Sequence, residues 1–139
     1  GFKEIRWTRE AANFEVTMNF ARTCFPNARF VFNTRDHGEV ANSGWWADVP
    51  VEKVRANLTR AETLYDEYLS KHPNCGIRVH YNDYVKDHDA LRPLFTFLDE
   101  PFNPDSIAKV MVLNFLSFIV TLGFIKSLLN QFICFYIFQ

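Results

Sequence analysis

The chain has 139 residues, with 15 lysines and arginines, 16 aspartates and glutamates, and a formal net charge of −1. That length accommodates one domain, and a hydrophobic content of 48% is enough for a buried core. A net charge so close to zero argues against a nucleic-acid-binding protein, which needs a basic face for phosphate contacts. Cys24, Cys75 and Cys134 form neither a CxxC motif nor a Cys/His cluster, so the sequence predicts no metal site and no disulfide framework.

Charged residues are distributed unevenly, with a boundary near Lys109. Residues 1–110 contain all 16 acidic residues, whereas residues 111–139 contain one charge, Lys126, and 6 of the 15 phenylalanines. We therefore expect a domain over residues 1–112 and a hydrophobic tail over residues 113–139. Three interpretations of the tail stay open: a membrane helix within residues 110–133, a helix buried by the domain, and a non-native readthrough segment.

The first half of the chain predicts strand, helix, strand and helix in that order. Residues 1–7 alternate as in a strand, and residues 10–25 have helical periodicity that ends before Pro26. Residues 29–34 are a short apolar run typical of a buried strand, and a helix is expected over about residues 38–47. The apolar stripe of the first helix contains Phe14, Met18, Ala21 and Phe25.

The second half continues the alternation. Pro50 is expected at the first position of a long helix, and residues 76–81 alternate as a strand. Residues 87–98 predict another helix, and Asn103 is expected to cap one more. Strands alternating with helices predict an α/β fold with a mostly parallel sheet. The apolar stripe of the long helix contains Val51, Val54, Leu58, Ala61, Tyr65 and Tyr68.

Ligands of open α/β sheets bind beyond the carboxyl ends of the strands, which draws attention to Arg35. Arg35 follows the strand over residues 29–34, and Ser43 lies on the helix expected after it. A guanidinium group there offers a planar, permanently charged fork for a phosphate, and a serine hydroxyl can complete an anion site. The alternative is a surface arginine beside Asp36 and an ordinary helical serine.

Two longer stretches resemble sulfotransferases that use 3′-phosphoadenosine 5′-phosphosulfate. FPNARFVFNTRDHGEVANS, with Arg35 at a strand end and Ser43 eight positions later, is similar to the family's 3′-phosphate-binding segment. VHYNDYVKDHDALRPLFTFLDEPFNPDSI resembles the segment that begins Tyr-Glu-Asp and ends Phe-Leu-Gly-x-Pro-Phe, with Asn82 in place of the glutamate and Glu100 in place of the glycine. The opening GFKEIRW is similar to a lysine-bearing strand of bacterial-type members. The three matches occur in the family's order over residues 1–112.

The resemblance implies a fold and a set of site residues. The fold is a partial three-layer parallel sheet with flanking helices, of the P-loop NTPase-like type, followed here by a C-terminal hydrophobic helix. Arg35 and Ser43 match the residues that hold the 3′-phosphate, and Tyr81 matches the tyrosine that lies against the adenine. Lys3 matches the catalytic lysine that stabilises the bridging oxygen as its bond to sulfur breaks.

Several of these assignments have a structural alternative. Tyr81 is equally well explained as a core tyrosine at a strand end, and Lys3 as a residue on an apolar strand face. Glu4, His37 and His80 are candidates for the general base, and the sequence does not choose among them. Trp45 and Trp46 fit either an acceptor pocket or a buried helix face.

The implied activity is transfer of a sulfuryl group from 3′-phosphoadenosine 5′-phosphosulfate to a hydroxyl or amine acceptor. The expected partners are this nucleotide donor and a small-molecule or carbohydrate acceptor, with membrane contact through residues 110–133. The 139 residues contain no Gly/Ser/Thr-rich loop of the kind that binds the 5′-phosphosulfate. We therefore interpret the chain as a fragment that is inactive by itself. The alternative is a non-catalytic α/β remnant or a tail-anchored membrane protein.

Overall fold

The computed structural model describes residues 2–4, 8, 10–111 and 134–138, with the backbone alone for residues 2–4, 45 and 134–138. The strands are β1 (Phe2–Glu4), β2 (Arg29–Thr34), β3 (Gly76–His80) and β4 (Cys134–Phe138). The α-helices are α1 (Ala11–Cys24), α2 (His37–Ala41), α3 (Val51–Lys71), α4 (Tyr81–Lys86) and α5 (Arg92–Leu98). Two 3₁₀ helices span Gly44–Asp48 and His88–Leu91, and residues 104–111 are also helical.

The described strands form one mixed sheet in the order β1-β4-β2-β3. β2 and β3 are parallel neighbours, and α3 lies between them in the sequence, as in a βαβ unit. β4 is antiparallel to both β1 and β2. The predicted α/β class is confirmed, but the expectation of a mostly parallel sheet is wrong, because one of the three described pairings is parallel.

The C-terminal tail contributes a strand to this sheet. Cys134–Phe138 pairs with β2, and Arg29 lies opposite Phe138 in the register. The hydrophobic tail is therefore not wholly separate from the sheet, because these five residues pair within it. Residues 112–133, which hold most of the expected hydrophobic helix, lie outside the described part. Within the described part, no helix combines the length and apolarity needed to cross a membrane.

The main core lies between the sheet and the helices α1 and α3. Phe14 and Met18 are fully buried on α1, as the periodicity predicts, and the helix ends at Cys24, before Pro26. The rings of Phe32 and Tyr65 stack with centroids 4.7 Å apart and planes inclined by 13°. Aromatic side chains bury a large apolar area, so this pair contributes strongly to the stability of the core. The core consists of Phe14, Met18, Ala21, Ala28, Phe30, Phe32, Ala61, Tyr65, Tyr68 and Cys75.

A second, smaller core joins α2 to the first half of α3. Val40 and Ala41 of α2 pack with Val54 and Leu58 of α3, and all four are buried. The stripe predicted for α3 is therefore confirmed from Val54 onward. Val51 is 44% exposed, because it lies in the first turn, beyond the reach of either core. This packing fixes α2 beside the end of β2, where Arg35 follows.

Two helix predictions differ from the structure in their boundaries, and one helix was not predicted. The helix expected over residues 38–47 is split, because Gly44 has a positive φ of 51° and starts a separate 3₁₀ helix. The segment 87–98 is likewise a 3₁₀ helix followed by α5. Helix α4 was not predicted, since Tyr81 was expected to end a strand. The predicted cap is confirmed, with Asn103 Oδ1 accepting from the Ser106 amide at 2.9 Å.

Candidate functional site

The carboxyl ends of β2 and β3 meet at one edge of the sheet. Thr34 and His80 are register partners at these ends, so Arg35 and Tyr81 are the next residues of two adjacent strands. The Cζ atom of Arg35 lies over the ring of Tyr81, 4.5 Å from its centroid. This distance allows a cation–π contact, so the structure brings together two of the residues that the sequence assigned to one ligand.

Glu39 holds the guanidinium group of Arg35. Its Oε2 accepts from Arg35 Nε at 2.9 Å and lies 2.8 Å from Nη2. The two residues are one helical turn apart, and their side chains are 18% and 46% exposed. Arg35 is therefore charge-paired at the position where the sequence predicts phosphate binding, and an incoming anion has to compete with this carboxylate.

Asn82 connects the end of β3 to the start of α2. Its Nδ2 donates to Glu39 Oε1 at 2.7 Å, and its Oδ1 accepts from the Asp36 amide at 3.0 Å. Asp36 caps α2 by accepting from the Glu39 amide at 2.9 Å. That amide hydrogen bond is the main cause that holds the pKa of the Asp36 carboxyl below its usual value. Asn82 thus fixes the helix that presents Glu39 to Arg35.

Ser43 is buried just beyond the end of α2. Its side chain is oriented by a 2.9 Å hydrogen bond from Oγ to the carbonyl oxygen of Val40, and the residue is 7% exposed. The same carbonyl accepts the Ser43 amide at 2.9 Å. Ser43 therefore terminates α2 with its hydroxyl engaged by the backbone. Its convergence with Arg35 on one phosphate stays a prediction.

Tyr81 begins α4 rather than ending β3. Its half-buried ring makes an edge-to-face contact with Tyr84, with centroids 5.4 Å apart and planes inclined by 77°. Tyr84 is anchored in turn, because its hydroxyl accepts from Asn33 Nδ2 at 3.0 Å. The ring of Tyr81 is therefore oriented by Tyr84 and Arg35. Contact of this ring with adenine stays a prediction.

The remaining sequence candidates have different positions. Lys3 is in β1 opposite Tyr136, and its side chain and that of Glu4 lie outside the described part. His80 Nδ1 lies 2.9 Å from the hydroxyl of the fully buried Thr34. His37 Nε2 lies 3.0 Å from Glu62 Oε1 on α3. Both histidines are positioned by polar neighbours, and neither has a described contact with Arg35.

Residues around the site include some that the sequence analysis missed. Glu39 had a partial signal, since it is an acidic residue four positions after Arg35, close enough in sequence for an ion pair. Asn82 had none, because its two hydrogen bonds join segments 46 and 43 residues apart. Trp46 packs against the smaller core, which favours its structural interpretation, and the side chain of Trp45 is outside the described part.

The described residues contain no group of three histidine, cysteine or acidic side chains arranged to hold a metal ion. Comparison of the chain with protein-family models, with curated proteins and with solved structures finds no match.

Proposed function

We propose that the edge formed by Arg35 and Tyr81 binds the 3′-phosphoadenosine end of 3′-phosphoadenosine 5′-phosphosulfate. The protein would then be a sulfotransferase acting on a hydroxyl or amine acceptor. The observation that supports this best is the 4.5 Å approach of the Arg35 guanidinium to the Tyr81 ring, beyond the carboxyl ends of a parallel strand pair. The proposal includes a P-loop NTPase-like fold with a three-layer sheet.

The chemistry of the two side chains suits the two ends of this nucleotide fragment. A guanidinium fork can bind a phosphate dianion through two parallel hydrogen bonds, which makes the contact strong and directional. A neighbouring tyrosine ring can pack on a purine with its face or edge. Ser43 supplies a second donor to the phosphate if its hydroxyl turns away from the Val40 carbonyl.

Catalysis is assigned to Lys3 in this proposal. A lysine ammonium beside the bridging oxygen stabilises the negative charge that develops as the oxygen–sulfur bond breaks. The acceptor is a small molecule or a carbohydrate, and its hydroxyl or amine loses a proton to a general base. The 5′-phosphosulfate requires further donors, since the 139 residues contain no glycine-rich phosphate loop.

Glu39 is the main obstacle to the proposal. Its carboxylate binds the two Arg35 nitrogens at 2.9 and 2.8 Å, much as an oxygen of a phosphate would. A 3′-phosphate must therefore displace Glu39, whose other oxygen is held by Asn82. Asn82 occupies the position at which the family has a glutamate. An ionised glutamate there could not donate a hydrogen bond to Glu39 as the Asn82 side chain does.

The alternative function is that of a non-catalytic α/β remnant, which includes a tail-anchored protein. The ion pair between Arg35 and Glu39 favours this alternative, because Glu39 neutralises the arginine without any ligand. In that case the contacts among Arg35, Glu39 and Asn82 stabilise the junction of β2, α2 and α4 and have no binding role. The two functions differ in whether the Arg35 guanidinium is available to an anion.

Calorimetry with adenosine 3′,5′-bisphosphate distinguishes them. We expect Arg35→Gln to weaken binding at least about tenfold, since the variant loses a charged phosphate partner. Arg60→Gln is the matched control, because Arg60 is exposed on α3 and bonds to Asn57. Adenosine 5′-phosphate, which lacks the 3′-phosphate, should bind wild type and Arg35→Gln equally. Equal affinity of both variants for the bisphosphate would refute the proposed site.

A further inference from the structure

The connections from α1 to β2 and from α3 to β3 have the same local structure. The residues that directly follow the helices are Phe25 (φ −130°) and His72 (φ −135°), and a Pro-Asn pair follows each. The next residue donates its amide back to the helix end, Ala28 to Phe25 O at 2.8 Å and Cys75 to His72 O at 3.2 Å. Because β2 and β3 are parallel neighbours, the two turns lie side by side at the amino-terminal edge of the sheet.

A cavity of about 360 Å³ lies between these two turns. Its volume is within the range of small-molecule sites. The cavity is at the opposite end of β2 and β3 from Arg35 and Tyr81, so it is separate from the proposed nucleotide edge. No described lining residue is acidic, and the lining includes the polar or ionisable residues Arg22, Asn27, Arg29, His72, Asn74 and Cys75.

The two arginines of this cavity differ in their partners. Arg29 is engaged by the Asp99 carboxylate and by the carbonyl oxygen of Phe97. Arg22 is half-buried, and its Nη1 lies 3.2 Å from Nδ1 of His72. Among the described residues, no carboxylate forms an ion pair with Arg22. The cavity therefore contains a cation whose charge is not matched by an acidic side chain.

The described polar neighbours of Arg22 include no anion. An arginine can only donate, so Nδ1 of His72 accepts and the imidazole proton is on Nε2. Nε2 is buried and has no hydrogen-bond partner among the described residues. Burial raises the pKa of the Cys75 thiol, so its sulfur is a neutral neighbour rather than a thiolate counter-ion. Arg22 thus has no negatively charged partner among the described residues.

We propose that this cavity binds the phosphate group of a small molecule, with Arg22 as the anchoring residue. Arginine is suited to this role because its planar fork fits two phosphate oxygens at once. The amides of Asn27 and Asn74 are exposed at the rim and can donate to the same ligand. The cavity has room for more than a phosphate ion, which suits a phosphate ester.

The test is a nuclear magnetic resonance titration of the full chain with ribose 5-phosphate and, separately, with inorganic phosphate. We expect the chemical shifts of the Asn27 and Asn74 side-chain amides to change saturably. Ribose 5-phosphate should bind more tightly than inorganic phosphate. Arg22→Gln should weaken binding at least about tenfold, because the glutamine has neither the charge nor the planar fork of the guanidinium group. Arg60→Gln should bind as the wild type does. The readout is independent of the proposed nucleotide site, because Asn27 and Asn74 lie at the opposite end of β2 and β3 from Arg35.

A second variant covers the case in which Arg22→Gln does not fold. Asn74→Asp places a negative charge at the exposed rim and should weaken binding several-fold, whereas Asn57→Asp, on the exposed face of α3, should not. Equal affinity of Asn74→Asp and Asn57→Asp, or of Arg22→Gln and Arg60→Gln, would overturn the proposal. Arg22 would then only balance the carbonyl ends of α1 and α3. Equal affinity for ester and ion would overturn the assignment of a small-molecule ligand.

Discussion

The amide nitrogen of Asn82 lies 2.7 Å from one carboxylate oxygen of Glu39, while Arg35 is bound to the other oxygen. Glu39 is thus held between a neutral donor and a cation. The arrangement keeps Arg35 paired in the absence of an anion. The affinity of this edge for an anion therefore depends on the negative charge of Glu39.

Glu39→Gln should therefore strengthen the binding of adenosine 3′,5′-bisphosphate. The glutamine retains much of the shape of the side chain but removes the negative charge that competes with the phosphate, and we expect an increase of about tenfold in affinity. Calorimetry at two salt concentrations checks this, with Glu52→Gln on α3 as the charge-matched control. Unchanged or weaker binding by Glu39→Gln would mean that Arg35 does not contact the nucleotide.

The cap of α2 should make stability depend on pH in the acidic range. The pKa of Asp36 is lowered from its ordinary value of 3.8, mainly by the hydrogen bond from the Glu39 amide. Its contribution is therefore fully present well above pH 3.8 and is lost as the pH falls through the lower folded-state value. Asp36→Ala should be less stable than wild type at pH 6, and this difference should shrink below about pH 4.

Chemical denaturation at several pH values measures this effect. Asp48→Ala is the control, since Asp48 is exposed and has no described hydrogen bond as an acceptor. A difference between wild type and Asp36→Ala that is the same at pH 6 and pH 3 would show that the charge of the cap is irrelevant.

The stacked pair of Phe32 and Tyr65 should dominate the stability of the main core. Phe32 is fully buried, so Phe32→Ala removes a whole ring and leaves a cavity that costs about 3–5 kcal/mol. Phe20→Ala should change the free energy of unfolding by less than about 0.5 kcal/mol, because surface substitutions of this kind have small effects. Phe20 is 67% exposed on α1, which makes it a matched control. Equal losses in urea denaturation would contradict the assignment of the core.

Gly76 should tolerate no side chain, because the strands approach closely there. A Cβ atom would lie 2.9 Å from the backbone oxygen of Phe30 and 3.1 Å from Cδ2 of Leu69. The first contact is with backbone and cannot be relieved by a rotamer change, so Gly76→Ala should destabilise the chain by about 1–3 kcal/mol. The midpoint of thermal unfolding measures the loss, with Ser70→Ala on the exposed side of α3 as the control. A midpoint equal to that of the control would refute the close approach.

Helices and strands could be predicted where the spacing of apolar residues along the chain shows which side of the element is buried. The stripes of α1 and α3 follow from apolar residues at helical spacing, and Pro26 marks the end of α1. The split after α2 was missed, because Gly44 fits a helical pattern until its positive φ is known. β4 was missed for another reason: its pairing with β2 joins segments about a hundred residues apart, and no local pattern encodes such a contact.

The site could be predicted in outline but not in its interactions. Placement at strand ends predicts that Arg35 and Tyr81 lie at one edge, and the structure brings them into contact. The ion pair with Glu39 and the bridge through Asn82 depend on the orientation of side chains from three elements, which spacing alone does not determine. The role of Lys3 stays a prediction, because its side chain is outside the described part.

The position of β4 has a consequence for self-association. Without residues 134–138, one side of β2 would become an open sheet edge, and its unpaired amide and carbonyl groups would flank the apolar run Phe30–Phe32. Such edges pair with the edges of other molecules. A chain truncated before Cys134 should therefore aggregate even though it has lost apolar residues. Residues 134–138 are themselves apolar, yet by pairing with β2 they cover its edge and prevent its pairing with other molecules.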